Sequence, residues 1–269
     1  MFVDTHCHLY FEAFENDLDE IIDRCLDVNL TKLLNPGIDL STSKAAVKLS
    51  REHQEFFAAV GVHPNDAATW DDKIANEISE LLNDGKVVAV GEIGLDYYHE
   101  HSSIDFQQTV FEKQLSIATG KGLPVIIHLR DRDQDRPAFR DGLNILERWI
   151  DSLLKSNHPL ANNPGVLHSF GGNCDLSQRA IDMNFYIGVT GPVTYKNAEI
   201  MQDVVASTPL EKLLIETDSP FLPPHPLRGQ RNEPANVIYI VKKISEIKNI
   251  PVGTVTQVTT DNAQRLFNW

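Results

Sequence analysis

Apolar residues fall along this chain in two alternating rhythms. Short, nearly unbroken apolar runs lie at residues 2–5, 32–35, 56–62, 86–93, 124–127, 166–168, 185–189 and 212–216. Between them come longer stretches whose apolar positions recur every three or four residues, as at Leu18, Ile21, Ile22, Cys25 and Leu26, or at Phe106, Val110, Phe111, Leu115 and Ala118. The second rhythm belongs to helices with one buried face. The first belongs to strands buried on both faces, as in a parallel sheet covered by helices. Helices are expected over 15–28, after a cap in Ser41-Thr42-Ser43, over 71–83, 105–121, 141–155, 175–183 and 198–206, with two closing helices near 235–248 and 252–267.

Eight strand-then-helix units in 269 residues predict an α/β fold of the (β/α)8 TIM-barrel type. A doubly wound open sheet is the rival, but no Gly-x-Gly-x-x-Gly turn follows the first strand. No linker or low-complexity stretch interrupts the pattern, so 1–269 reads as one domain. The least periodic region, 130–164, opens with the charged run Asp131-Arg132-Asp133-Gln134-Asp135-Arg136 and closes with Asn162-Asn163-Pro164. It reads as a charged loop, a helix and a second loop.

Composition narrows the function. Acidic residues outnumber basic ones by 38 to 24, a formal charge of −14, which argues against a basic protein that coats nucleic acid. An enzyme acting on nucleic acid is still compatible, because bound metal adds positive charge that the sum omits. The three cysteines, Cys7, Cys25 and Cys174, are odd in number and widely spaced, and read as free thiols of a reducing compartment. The N-terminal stretch lacks a secretory pattern, and no run approaches the ~20 apolar residues of a membrane span. The expectation is a cytoplasmic chain, monomeric or weakly oligomeric, with no membrane partner.

The polar residues at the strand ends carry the chemistry. His6 and His8 close the first strand, and alternation puts both on one face with Cys7 on the other. His63 follows the third strand, Glu92 ends the fourth, His128 the fifth, His168 the sixth, and Asp218 the eighth. A parallel barrel gathers all its strand C-termini at one rim, where such enzymes place their active sites. Imidazoles and carboxylates together suit zinc, manganese or related divalent ions, and this many donors suit two ions ~3.5–4 Å apart with a bridging carboxylate. Other residues read as structural. His99 and His101 read as a solvated loop pair, His53 as a helix-end contact, and His158 and His225 as surface residues. Cys7 reads as a buried thiol, and Glu216 as a carboxylate orienting a ligating histidine.

The motifs VDTHCHL, GVHP, GEIGLDYY, PVIIHLRD, GVLHSFGG, YIGVTG, LLIETDSPFLPP and RGQRNEP, with the closing Asn262-Ala263-Gln264-Arg265-Leu266-Phe267, resemble the TatD family of metal-dependent deoxyribonucleases over essentially the whole chain. The resemblance implies a metallo-dependent hydrolase barrel. It implies one metal on His6, His8, Glu92 and Asp218, and a second on Glu92, His128 and His168, with Glu92 bridging. It places His63 and Arg130 near the substrate phosphate and the Arg228-Gly229-Gln230-Arg231-Asn232-Glu233-Pro234 segment around the site. The stretch between His128 and His168 is longer than the family leads one to expect, which bears on substrate access.

The implied reaction is phosphodiester hydrolysis in DNA, at a single strand or a frayed end. Two divalent ions (zinc, manganese or magnesium) activate the water, and Asp218 and Glu92 are the catalytic carboxylates. The alternative keeps the metals and changes the bond, to an ester or amide, as in a D-aminoacyl-tRNA deacylase. A binding module that lost its chemistry is a third reading. It would lack a ligand, and all six are present.

Overall fold

The computed structural model describes residues 1–99, 101–132 and 135–269. Its strands are β1 (Phe2–Asp4), β2 (Leu30–Pro36), β3 (Phe56–Val60), β4 (Val87–Asp96), β5 (Val125–Arg130), β6 (Gly165–Leu167), β7 (Tyr186–Val189) and β8 (Leu213–Ile215). Its helices are α1 (Leu18–Asp27), α2 (Leu40–Glu52), α3 (Asp72–Leu81), α4 (Ile104–Lys121), α5 (Pro137–Lys155), α6 (Cys174–Asp182), α7 (Glu199–Ser207), α8 (Val237–Lys248) and α9 (Val252–Phe267). The strands form one parallel sheet in chain order. Backbone bonds join its two ends: Thr5 N to Ile215 O at 3.1 Å, Asp218 N to His6 O at 2.8 Å, and His8 N to Ser219 O at 2.8 Å. The sheet is thus a near-closed eight-stranded barrel wrapped by helices, as the alternation predicts.

Alternation along each strand divides the core in two. Leu34, Ala59, Ala89, Ile126, Val166, Tyr186 and Leu214 share one buried cluster with Ala263, Leu266 and Phe267 of α9. Their neighbours Leu33, Ala58, Val60, Val125, Ile127, Leu167, Ile187, Leu213 and Ile215 belong to the other, with the inner faces of the helices. The first set fills the barrel, and α9 plugs it from below. The second is the layer between barrel and helices. The inward parity carries upward: two residues beyond Ile126, Val166 and Leu214 stand His128, His168 and Glu216, and four beyond Ala59 and Leu214 stand His63 and Asp218.

Three local differences from the sequence reading have physical causes. The cap of α2 is Asp39, not the serine-threonine run. Its carboxylate accepts from Thr42 N at 2.7 Å while Thr42 Oγ1 accepts from Asp39 N at 2.9 Å, and Ser43 instead bonds Gly61. Helix α5 begins at Pro137, four residues early, because proline fits the first helical turn and Asp131 accepts from Ala138 N and Phe139 N. Strand β4 continues past Ile93 to Asp96, with Gly94 at φ +143 lying flat against the His128 carbonyl. Of the charged run after Arg130, Asp133 and Gln134 lie outside the described residues. Among the described residues, no helix is long and apolar enough to cross a membrane.

Candidate active site

The strand ends open into a cavity of about 1020 Å³. His8, Glu92, His128, His168 and Asp218 line it, and His63 and Arg130 stand in its wall. His6 is fully buried beneath them. The structure thus brings the six ligand candidates, His63 and Arg130 to one place.

Glu92 is the hub. Its Oε2 lies 3.3 Å from His6 Nε2, while its Oε1 lies 2.8 Å from His128 Nδ1 and 3.8 Å from both His63 Nε2 and His168 Nε2. One carboxylate oxygen therefore faces each of two groups. In the first, His6 Nε2 and His8 Nε2 approach to 3.2 Å, with Asp218 Oδ1 at 3.7 and 3.4 Å from them. In the second, His63 and His128 stand against Glu92. His168 lies between the two groups, its ring stacked 3.5 Å from that of His6, centroid to centroid.

This arrangement fits a pair of divalent cations. Two imidazole nitrogens that face each other and a carboxylate make a poor hydrogen-bonded core, but they are the donor set of a metal. His6 Nδ1, His128 Nε2, His168 Nδ1 and Glu216 Oε2 are buried without an aligned hydrogen-bond partner, although Asp96 and Glu216 lie within ion-pair distance of the His128 and His168 nitrogens. The buried His, Glu and Asp clusters are consistent with a binuclear metal site.

Burial and mutual contact shift these groups strongly. Burial would raise the Glu92 carboxyl, but His168, His6 and His128 outweigh it and hold Glu92 well below the usual range. Asp218 is also lowered, its burial outweighed by His8, His168 and His6. Burial, assisted by His128, pulls His63 down to about 3, which leaves a neutral imidazole at pH 7. Burial and His168 lower His6 as well. His168 goes the other way: burial pulls it down, but Glu216 and Glu92 push it up to about 10.

Around these groups lie residues that position them. Glu216 is fully buried with Oε1 2.9 Å from His168 Nδ1, the position that an orienting carboxylate would take. Asp96 supplies the same kind of partner to His128, with Oδ2 3.4 Å from Nε2, and was not singled out in the sequence. The signal was available: Asp96 ends the same strand as Glu92, but Gly94 looks like the end of that strand. Asp4 is a second buried acid that the strand-end pattern does not pick out. It accepts from His6 N at 3.2 Å, Thr217 N at 2.9 Å and Thr217 Oγ1 at 2.5 Å, so it ties the backbone before Asp218 to that of His6. Asp218 itself is held in the left-handed region, at φ 56. Asn232 brackets it from outside, donating to Thr217 O at 2.9 Å and Phe221 O at 2.7 Å.

Other expectations divide. Cys7 is a buried thiol turned onto Leu34 O, and His225 is exposed. His99 and His101 are not simply a solvated pair, since both stand in the cavity wall and His99 Nδ1 lies 3.0 Å from Asp96 Oδ2. Arg231 turns away from the cavity to pair with Asp17.

Residues 3–268 match the family model described as TatD related DNase. A metal-dependent hydrolase of Bacillus subtilis named YabD is 39% identical over 267 residues, covering 99% of each chain. The Escherichia coli protein named 3'-5' ssDNA/RNA exonuclease TatD is 33% identical over 270 residues, covering 98% of each. The crystal structure of YjjV, a TatD homologue from Escherichia coli K12, superposes with a TM-score of 0.89 at 30% identity, over 100% of this chain and 98% of that one.

Proposed function

Given that the chain belongs to the TatD-related DNase family and is a metal-dependent hydrolase, we propose that it cleaves phosphodiester bonds in DNA, at a single strand or a frayed end. The observation that supports this most is Glu92, with one oxygen toward each of two donor groups. In this reading His6, His8, Glu92 and Asp218 hold one divalent cation, and Glu92, His128 and His168 hold the other. When bound, two such ions supply Lewis acidity, which makes water a nucleophile near neutral pH and offsets charge on phosphoryl oxygens.

The protein's own groups do the rest. Asp218, ionised and at the mouth of the first group, accepts the proton of the attacking water on a carboxylate oxygen. Glu216 and Asp96 fix the rings of His168 and His128. His63 and Arg130 lie on the wall a phosphate would meet. A rim pocket admits a flexible strand or end more readily than intact duplex, and the relative named as an ssDNA/RNA exonuclease agrees with that. The acidic chain is expected to hold DNA only at this rim. We read 1–269 as one hydrolase domain, and the three free cysteines support a cytoplasmic setting.

The test is a parallel assay of one metal-loaded preparation on single-stranded DNA and on D-aminoacyl-tRNA. DNA cleavage is expected to dominate. Fast ester hydrolysis with negligible DNA cleavage would overturn the nuclease reading.

A further inference from the structure

The two walls of the cavity differ in kind. On the β1 and β8 side stand Phe11 and Phe221, the former stacked 5.1 Å from the His8 ring and the latter half exposed. Four strands round the ring, the end of β5 contributes Arg130 and the connection from β5 to α5 contributes Arg132 and Arg136 to the same cavity. A group of arginines at this one place is unexpected in a chain of net charge −14.

Two of the three arginines rest on neutral partners. The Arg130 guanidinium lies 4.6 Å from the centre of the Tyr98 ring. Arg136 donates Nη1 to the Gly171 carbonyl and lies 5.9 Å from the Phe139 ring. Among the described residues, neither has a carboxylate within ion-pair distance, although Arg136 is near enough to Asp131 to act on it, whereas Arg24, Arg51, Arg148, Arg179 and Arg231 each form an ion pair. Their positions relative to the metal groups follow from the topology. Arg130 is two residues beyond His128 on the same face of β5, about 6.6 Å further up the strand. Gly171, which anchors Arg136, is three residues beyond His168. Arg130 therefore follows His128 up β5, and Arg136 is anchored on the segment that follows His168.

A guanidinium presents a planar fork of N–H donors that matches phosphate oxygens. A ligand with one phosphodiester at Glu92 reaches no further than Arg130 and leaves Arg136 without a phosphate, whereas a strand carries its next phosphate there. We propose that Arg136, assisted by Arg130, forms a subsite for the backbone phosphate adjacent to the one cleaved. On this account the chain prefers an oligonucleotide over any substrate with a single phosphodiester. The proposal rests on the phosphodiester reading above.

The experiment compares kcat/KM on a dinucleoside monophosphate, which has only the cleaved phosphate, with that on a single-stranded trinucleotide and octanucleotide. The wild type is compared with Arg136→Gln, which can still donate to the Gly171 carbonyl, with Arg136→Lys, which keeps the charge, and with Arg148→Ala on the far part of α5. The wild type should favour the longer substrates. Arg136→Gln should reduce that preference about tenfold, Arg136→Lys should keep much of it, and Arg148→Ala should keep all of it. An unchanged preference in Arg136→Gln, or an equal loss in Arg148→Ala, would overturn the subsite and leave the nuclease reading standing. If the wild type cleaves none of these substrates, the nuclease reading fails. The subsite is then judged by anisotropy of a labelled single-stranded octanucleotide without metal. There Arg136→Gln should lower the salt slope by about one relative to the wild type, and an equal slope would overturn it.

Discussion

Glu216 Oε1 lies 2.9 Å from Nδ1 of His168, and the barrel makes room for it only because residue 188 is glycine: a Cβ there would sit 2.5 Å from the same oxygen. Ser169 N donates to that oxygen as well, so the carboxylate fixes both the ring and the backbone just beyond it. Removing the charge in Glu216→Gln should weaken metal binding by about 10–100-fold while the barrel stays folded. Gly188→Ala should act in the same direction by displacing the carboxylate. Chelator competition measures this, and unchanged metal affinity in both variants would show that Glu216 is only a buried structural acid.

Asp218→Asn is expected to abolish turnover while an oligonucleotide still binds. The amide keeps the shape of the side chain and its place between Thr217 and Ser219, but it cannot take a proton at neutral pH. Single-turnover kinetics with a parallel binding measurement separate the two effects. A kcat equal to the wild type would remove Asp218 as the base.

Asp96 and His99 differ in what they support. Asp96 is buried against His128, whereas His99, in the cavity wall, pairs with Asp96 and with none of the ligand candidates. Asp96→Asn should therefore cost about tenfold or more in kcat/KM, and His99→Ala markedly less. The reverse order would mean that His99 acts on substrate or metal directly.

The barrel was legible in the chain because most strand positions are buried on both faces, along the whole length of β4 and β7, so their apolar runs stand out from the helices. The ligand candidates were legible for a related reason: an imidazole or carboxylate at the end of such a run has no apolar explanation. Asp96 escaped because Gly94 looks like a stop, while in the fold it is the residue that lets β4 lie against the carbonyl of His128. Asp4 escaped because its partners, His6 N and Thr217, come from opposite ends of the chain. The cap of α2 went to Asp39 because a capping box needs its carboxylate and Thr42 together, which the polar run alone does not reveal.

The three thiols should react unequally. Cys7 and Cys25 are buried, and burial raises both, Cys25 to about 12, so neither offers thiolate to an alkylating reagent. Cys174, partly exposed at the start of α6, should react alone in the native protein, and all three after unfolding. Counting modified thiols by intact mass checks this, and rapid native labelling of Cys7 would mean that the joint between β1 and β8 opens readily.

The most direct test of the binuclear reading is metal content. Wild-type protein, loaded and then desalted, should hold two divalent ions per chain by elemental mass spectrometry. Glu92→Ala, which removes the carboxylate that faces both groups, should hold fewer than two and lose most activity on single-stranded DNA. A wild type that saturates at one ion, or a Glu92→Ala protein with two ions and near-normal turnover, would contradict the account.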